Sequence, residues 1–393
     1  MLDSIFIGMT GLQGYSQGLR VIANNTANIN TPGYKGSSLQ FADMFYSNSN
    51  TGMGTMQVGY GLNTAGTMLN FEQGELRQTG NTLDLAVDGQ GLFTVRDSGG
   101  NTHYTRAGQF NFNTDGVLVS RIDQSKVMGQ DASGAVGEIS IAGKSAIAGT
   151  ATTAVKFAGN LSSTAPSHTI GSVNILDKLG GSHAFTVKLT NENTVATPNQ
   201  WKVELVDASG VAVDSGSIAF ENGLPKAGNS TVTMDFTPPG LASMAVVLDF
   251  SADVTSFAAL TTSTLSMTSQ DGKGPGTLTG VNFDASGTLI MNYSNGETVK
   301  GSRLLLGRFD SVDAVAANGN NQFDATNQLA WHTGLGAEGG FGSIRSGMIE
   351  LSNVDLSQEF SDLVIMQRGY QASSQVISTA NDMLQELFQM KGK

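Results

Sequence analysis

Cysteine is absent from the 393 residues, only 14% of positions are charged, and there are just 7 prolines, 4 histidines and 2 tryptophans. Without thiols there is no disulfide, no thiolate nucleophile and no cysteine zinc site, and the chain suits an oxidising exterior or unfolded passage through a narrow exporter, where nothing can be mispaired. Basic runs are missing too. The 21 Lys and Arg are scattered in a chain of net charge −12 and pI near 4.7, which argues against nucleic acid and anionic lipid as partners, because both need clustered cations. No apolar stretch approaches the ~18 to 20 residues of a membrane span, so membrane insertion is not expected. The start, Met1-Leu2-Asp3-Ser4, lacks the basic region and small-residue cleavage site of a secretory leader, so any exit from the cytoplasm is expected to use another route.

Catalytic patterns are equally scarce. His103, His168, His183 and His332 are isolated, with no second histidine at ligand spacing, and read as surface or strand residues. Gly89-Gln90-Gly91 lacks the third glycine and the helix of a dinucleotide loop, and no Gly-x-Ser-x-Gly elbow occurs. Asp271 to Gly280 and Asp131 to Glu138 offer oxygen ligands at the wrong spacing for a calcium loop. The sequence therefore predicts no enzyme, no cofactor and no metal.

What is present lies first at the two ends. Leu2, Ile5, Met9, Leu12 and Leu19 recur at three- and four-residue steps, and Leu356, Phe360, Leu363, Tyr370, Ile377, Leu384 and Phe388 follow one alternation of the same steps, with only Gln367, Ser374 and Asn381 polar in it. Both ends are thus expected to be amphipathic helices whose stripes form the seam of a coiled coil, an assembly interface. The first helix also carries Gly8, Gly11, Gly14 and Gly18. Each costs roughly 1 kcal/mol against Ala, about 4 kcal/mol together, so this helix is expected to stay largely unfolded until another backbone packs against the glycines.

Between the ends the period changes from 3.6 to 2. Asp84 to Asp88, Phe93 to Arg96 and Phe110 to Phe112 alternate, as do Phe185 to Leu189, Trp201 to Leu205, Val232 to Phe236, Val246 to Phe250, Val281 to Phe283 and Leu289 to Tyr293, before the apolar run Leu304 to Leu306. This is the pattern of antiparallel sheet. The tetrapeptide Asp-Ala-Ser-Gly stands at 131 to 134, 207 to 210 and 284 to 287, and reads as three independent hairpin turns, with Asp bonding its own backbone and Gly taking positive φ.

Composition thins into small residues over 138 to 170 and 251 to 280, which sets the boundaries. The expected fold is α+β and multidomain: a terminal helical coiled coil plus two mainly antiparallel β domains, nested so that the N- and C-terminal segments pair. Residues 1–24 with 360–393 form the helical part, 25–70 with 349–359 an extended bridging segment, 71–147 with 275–348 one β domain, and 148–274 an inserted outer β domain.

One stretch is specific enough to carry a resemblance. Asn24-Asn25-Thr26-Ala27-Asn28-Ile29-Asn30-Thr31-Pro32-Gly33-Tyr34-Lys35 suits a helix exit followed by a tight turn. It resembles the signature after the first helix in the axial proteins of the bacterial flagellum, the rod, hook and hook-associated family. Leu83 to Phe93, Tyr104 to Phe110, and Ser352 to Leu356 leading into Gln367 to Ala372 look like the same family, in the same order. Gly287 to Glu297 and Leu305 to Phe309 are similar to a segment typical of its hook branch. The resemblance covers roughly residues 1 to 130 and 280 to 393.

What the resemblance implies is a structural role: a subunit that polymerises with copies of itself into a curved hollow tube, a universal joint that passes torque from rod to filament. Terminal helices would line the tube, the segment after the Asn-rich motif would bridge neighbours, and β domains would form outer shells. The implied partners are further copies of the chain, the flagellar rod, hook-cap and hook–filament junction proteins, and the flagellar export apparatus. The implied place is the extracellular flagellum, reached without a cleaved leader. Two other readings stand beside it: a distal rod-type axial protein, and a secreted β-rich adhesin that binds through the middle domain with exposed aromatics such as Trp201 and Trp331.

Overall fold

A computed structural model of the chain describes residues 2–51, 54–195 and 198–391, so positions 1, 52–53, 196–197 and 392–393 of the expected ranges lie outside it. The protein is mostly β, with one long helix near each end: α1, Leu2–Ala27, and α2, Leu356–Lys391. Asp355 caps α2, its carboxylate accepting from Ser357 N at 2.7 Å and Gln358 N at 3.3 Å, so the helix begins four residues before the expected start at 360. α1 runs three residues past its expected end at 24. There Asn28 N closes the last turn on Asn24 O at 3.2 Å.

The chain divides into two compact units, one drawn from Met1–Ala142, Val281–Met291 and Val299–Lys393, the other from Gly143–Gly280 and Asn292–Thr298. In the first, an antiparallel sheet runs in the order Thr298–Phe309, Lys126–Gln130, Leu92–Arg96, Thr102–Thr105, Gln322–Ala325 and Val315–Gly319, with Trp331–Leu335 also paired to Thr298–Phe309. Leu85, Val87, Phe93, Phe110, Leu118, Val127 and Leu304 are fully buried. Two short pairings, Leu76–Gln78 with Met348–Glu350 and Leu85–Asp88 with Ser343–Ser346, tie the chain's outgoing and returning paths.

The second unit is a pair of five-stranded sheets around one core that includes Phe157, Val187, Trp201, Leu205, Met234 and Phe250. One sheet is an antiparallel meander from Ser167–Leu176 to Leu224–Pro225. In the other, Ala154–Asn160 pairs parallel with Met244–Asp249 and Val254–Thr255, a departure from the antiparallel reading. Parallel neighbours need a long crossover, and here the whole meander is that crossover, a relation that local periodicity does not encode.

The aromatics expected to be exposed are not. Trp201 is 1% exposed and Trp331 9%. Trp331 stacks on Tyr104 with centroids 4.0 Å apart and donates its indole N–H to Ala314 O at 2.9 Å. Alternation placed Trp201 on a strand without saying which face was inward, and no strand was read at Trp331. All four histidines sit on strands: His103 beside Asp324, His183 beside Asp177, His332 beside Asp310, and His168 on Leu265 O.

The three Asp-Ala-Ser-Gly turns share one geometry. In each, the Asp Oδ1 accepts from the Ser N, the Ser hydroxyl and the N–H four residues on, at 2.6 to 2.9 Å, and the Gly takes φ of +77° to +88°. The hydroxyl bond and then the backbone donors hold Asp131 and Asp207 below the usual carboxylate range. At Asp284 burial opposes the same bonds and is outweighed.

Candidate assembly interface

α1 and α2 pack antiparallel, and the face of α1 that meets α2 is made of glycine. Gly8, Gly11, Gly14, Gly18, Ile22 and Asn25 are its buried positions. A methyl added at Gly8 would lie 2.7 Å from Ile377 Cγ1, at Gly11 2.6 Å from Ser373 Oγ, and at Gly18 2.9 Å from Met366 Sδ. The recess is reciprocal: a methyl on Gly369 of α2 would meet the Tyr15 ring at 2.5 Å. Gly14 instead receives Leu62 and Phe41 of the hairpin described below. The partner backbone that the glycines demand is therefore, first of all, the other end of the same chain.

This moves the intrachain contact off the predicted leucine stripe. Of the seam residues, Ile5, Leu12, Leu19, Leu363, Ile377 and Leu384 are half-buried. Leu2, Met9, Leu356, Phe360, Tyr370 and Phe388 are exposed, Leu2 by 76% and Phe388 by 74%. Phe6, Val364, Ile365, Val376, Leu387 and Met390 add to the exposed apolar set. Pattern reading equates large apolar side chains with the contact face, whereas close helix packing uses the smallest ones. The stripe remains open on the outside of the pair.

Below the helix pair the Asn-rich motif ties a knot. Asn24 Nδ2 donates to the Tyr34 hydroxyl at 2.9 Å, and Asn25 joins Ser37 O at 2.8 Å and Glu359 Oε1 of α2 at 2.9 Å. Ala27 ends the helix, Asn28 bonds back to Asn24 O, and Thr31 donates to Asn28 Oδ1. Pro32 O accepts from Asn321 Nδ2 at 2.9 Å. Gly33, at φ +72°, passes so close to Ala107 that a methyl would lie 2.5 Å from its nitrogen, and its own N–H reaches Glu350 O at 2.8 Å. No residue with a side chain fits there.

At the centre of the knot Glu350 takes Lys35 Nζ at 2.6 Å on one oxygen and Arg106 Nη1 at 3.0 Å on the other, with all three side chains buried. Burial pulls the Lys35 ammonium below its usual range and Glu350 opposes that pull. Burial likewise lowers Arg106. Asn353 completes the junction, accepting from Gly36 N at 2.8 Å and donating to Asn70 O and Glu72 O. Glu350 and Glu359 were not singled out from sequence, and Asn353 entered only as part of the family stretch Ser352 to Leu356. Glu350 lies 315 positions from Lys35, and no local signal links the two.

From the knot a long hairpin projects, Ser37–Asp43 on Leu62–Leu69 and Tyr46–Thr51 on Gly54–Gly59, in place of the simple extended segment expected. Phe45 and Tyr46 on it are more than half exposed, and Phe45 stacks on Tyr60 with centroids 4.9 Å apart.

Comparison with known proteins places these parts in a family. Profiles described as flagella basal body rod protein, flagellar hook protein FlgE/F/G D1 domain, and flagellar basal body rod FlgEFG protein C-terminal match residues 5–35, 86–152 and 345–390, which are the helix and motif, the β domain, and α2 with Glu350. The chain carries three profiles of the flagellar rod and hook proteins. It is 29% identical to the flagellar hook protein FlgE of Escherichia coli K12 over 98% of both chains, and 28% identical to that of Borreliella burgdorferi over the full length of both. The crystal structure of Helicobacter pylori flagellar hook protein FlgE2 shares the fold at TM-score 0.50 and 13% identity, covering 68% of this chain and 99% of that one. Among the described residues, no helix is long and apolar enough to cross a membrane.

Proposed function

We propose that this chain is the structural subunit of the flagellar hook, polymerising with itself into the curved, hollow joint that passes torque from rod to filament. The observation that carries this reading is the outward apolar face of the α1–α2 pair. Stacked copies would bury it at about 1.5 to 3 kcal/mol per large side chain, repeated in every subunit, to form a coiled-coil inner tube from residues 1–24 and 360–393. In the same reading residues 25–70 with 349–359 bridge neighbours. Residues 71–147 with 275–348 and the inserted 148–274 form nested outer shells whose weaker contacts slide as the joint turns. Rod, hook-cap and junction proteins would meet its ends, and the export apparatus would deliver the chain without a cleaved leader. Alignment over nearly the whole length of proteins named flagellar hook protein favours the hook over the rod. The buried Trp201 and Trp331 remove the aromatics on which the adhesin reading rested.

Electron microscopy of the purified chain tests the proposal: bent hollow cylinders are expected, against straight ones for a rod subunit. Val364→Asp, at a position 55% exposed in the single chain, should leave circular dichroism unchanged and abolish the tubes. Tubes indistinguishable from wild type would sink the assignment of this face.

A further inference from the structure

The charge balance of the knot is incomplete. Lys35 and Arg106 share the one carboxylate of Glu350, whose oxygens also accept Gly74 N at 3.0 Å. Arg106 is 5% exposed, and it also donates hydrogen bonds to the carbonyls of Val87 and Gly89, which carry no charge to offset its own. Buried charge is costly unless it is paired. A third cation adds to the imbalance. Arg308 lines the same cavity of about 150 Å³ as Arg106, with Gln90, Phe71 and Phe309 around them. Its Nε is buried with no hydrogen-bond partner, and its guanidinium lies 5.7 Å from the centre of the Phe341 ring. Arg303, whose Nε is likewise buried without a partner, pairs its Nη2 with Glu338, and Arg345 pairs with Asp88.

We infer that this cavity is a carboxylate-binding site in which Arg106 and Arg308 grip one anion. Guanidinium is the cation suited to that geometry, since its planar fork matches the two oxygens. The cavity has room for an acetate-sized group. The Phe71 and Phe309 rings, 4.6 Å apart, give a wall of low polarity that strengthens each charged bond. The carboxylate has two possible sources, a free small acid or an acidic side chain of a second copy. The chain carries 33 acidic residues to 21 basic, so copies can supply it. Only that second source rests on the polymer reading.

Two arms separate the sources. In the first, thermal unfolding of the full-length unpolymerised chain is followed against sodium acetate, with sodium chloride at equal ionic strength as control. In the second, the concentration of chain left unpolymerised is measured for wild type, Arg308→Lys and Arg308→Met. The methionine keeps the packing over Phe341 without the charge, and circular dichroism checks that both variants fold. Saturable stabilisation by acetate over chloride, weakened at least about tenfold in Arg308→Met and retained in part by Arg308→Lys, assigns a free carboxylate. No acetate effect, with the unpolymerised fraction raised about tenfold in Arg308→Met and less in Arg308→Lys, assigns a neighbour's side chain. If acetate acts no differently from chloride and all three proteins assemble alike, the site does not exist. If none of the three forms tubes, the first arm alone decides the inference and the polymer reading fails separately.

Discussion

Single residues decide where this chain is held, and several were readable only by type. Lys35 and Arg106 both fall in the quoted motifs, which do not name the anion that the two share. Glu350 is fixed as that anion by the pairing of Met348–Glu350 with Leu76–Gln78, a relation between distant segments that no window of sequence contains. His103 is a second case. Read as an isolated strand histidine, it is 8% exposed and held by Asp324 at 2.5 Å and Asp97 at 3.4 Å, with Asn318 also at 3.4 Å. Burial would lower its pKa, but the two carboxylates outweigh burial and raise it. Stability from this site is thus complete below the ordinary histidine value near 6.5 and is lost as pH rises through the raised one. Asp97, which Asn101 holds at about 2, contributes above the ordinary aspartate value and loses its contribution as pH falls toward 2. The unfolding midpoint of the chain should decline on both sides, and His103→Gln should flatten the alkaline limb while sparing the acid one. An unaltered alkaline limb would remove His103 as its cause.

At the scale of elements, the existence and approximate limits of α1 and α2 were legible from the 3.6-residue period, and the turns from Asp-Ala-Ser-Gly. The glycine face of α1 was legible too, as a surface for another backbone; that this backbone is α2, with the apolar stripe left largely outside, was not, because hydrophobic periodicity ranks side chains by size and the closest helix approach selects for its absence. Adding a methyl should therefore have opposite signs along one helix. Gly18→Ala meets the flexible thioether of Met366, which can move aside, leaving a net gain of up to about 1 kcal/mol in helix propensity. Gly8→Ala meets the β-branched Ile377 and, at 3.2 Å, the backbone oxygen of Ser373, neither of which can yield cheaply. It should destabilise by about 1 to 3 kcal/mol despite the same propensity gain. Urea unfolding of the two variants measures this, and equal shifts of one sign would mean that the helices are not packed at this register.

Over the whole molecule, the parallel pairings of Ala154–Asn160 stayed hidden because they depend on segments about a hundred residues apart being brought together. The second unit meets its own ends: Thr150 and Lys273 exchange backbone hydrogen bonds of 2.8 and 2.9 Å. A fragment spanning Thr150 to Lys273 keeps the entire core from Val155 to Leu265. It should unfold in one cooperative transition, coincident by tryptophan fluorescence of Trp201 and by circular dichroism, and two separated transitions would show that the core is not self-sufficient. The antiparallel helix pair has a kinetic consequence as well. Asn25 and Glu359 are bonded across 334 positions, so α1 meets the helix that covers Gly8, Gly11 and Gly18 only after α2 has been synthesised. Until α2 emerges, the glycine-weakened helix stays pliant and threadable, and its locking is deferred.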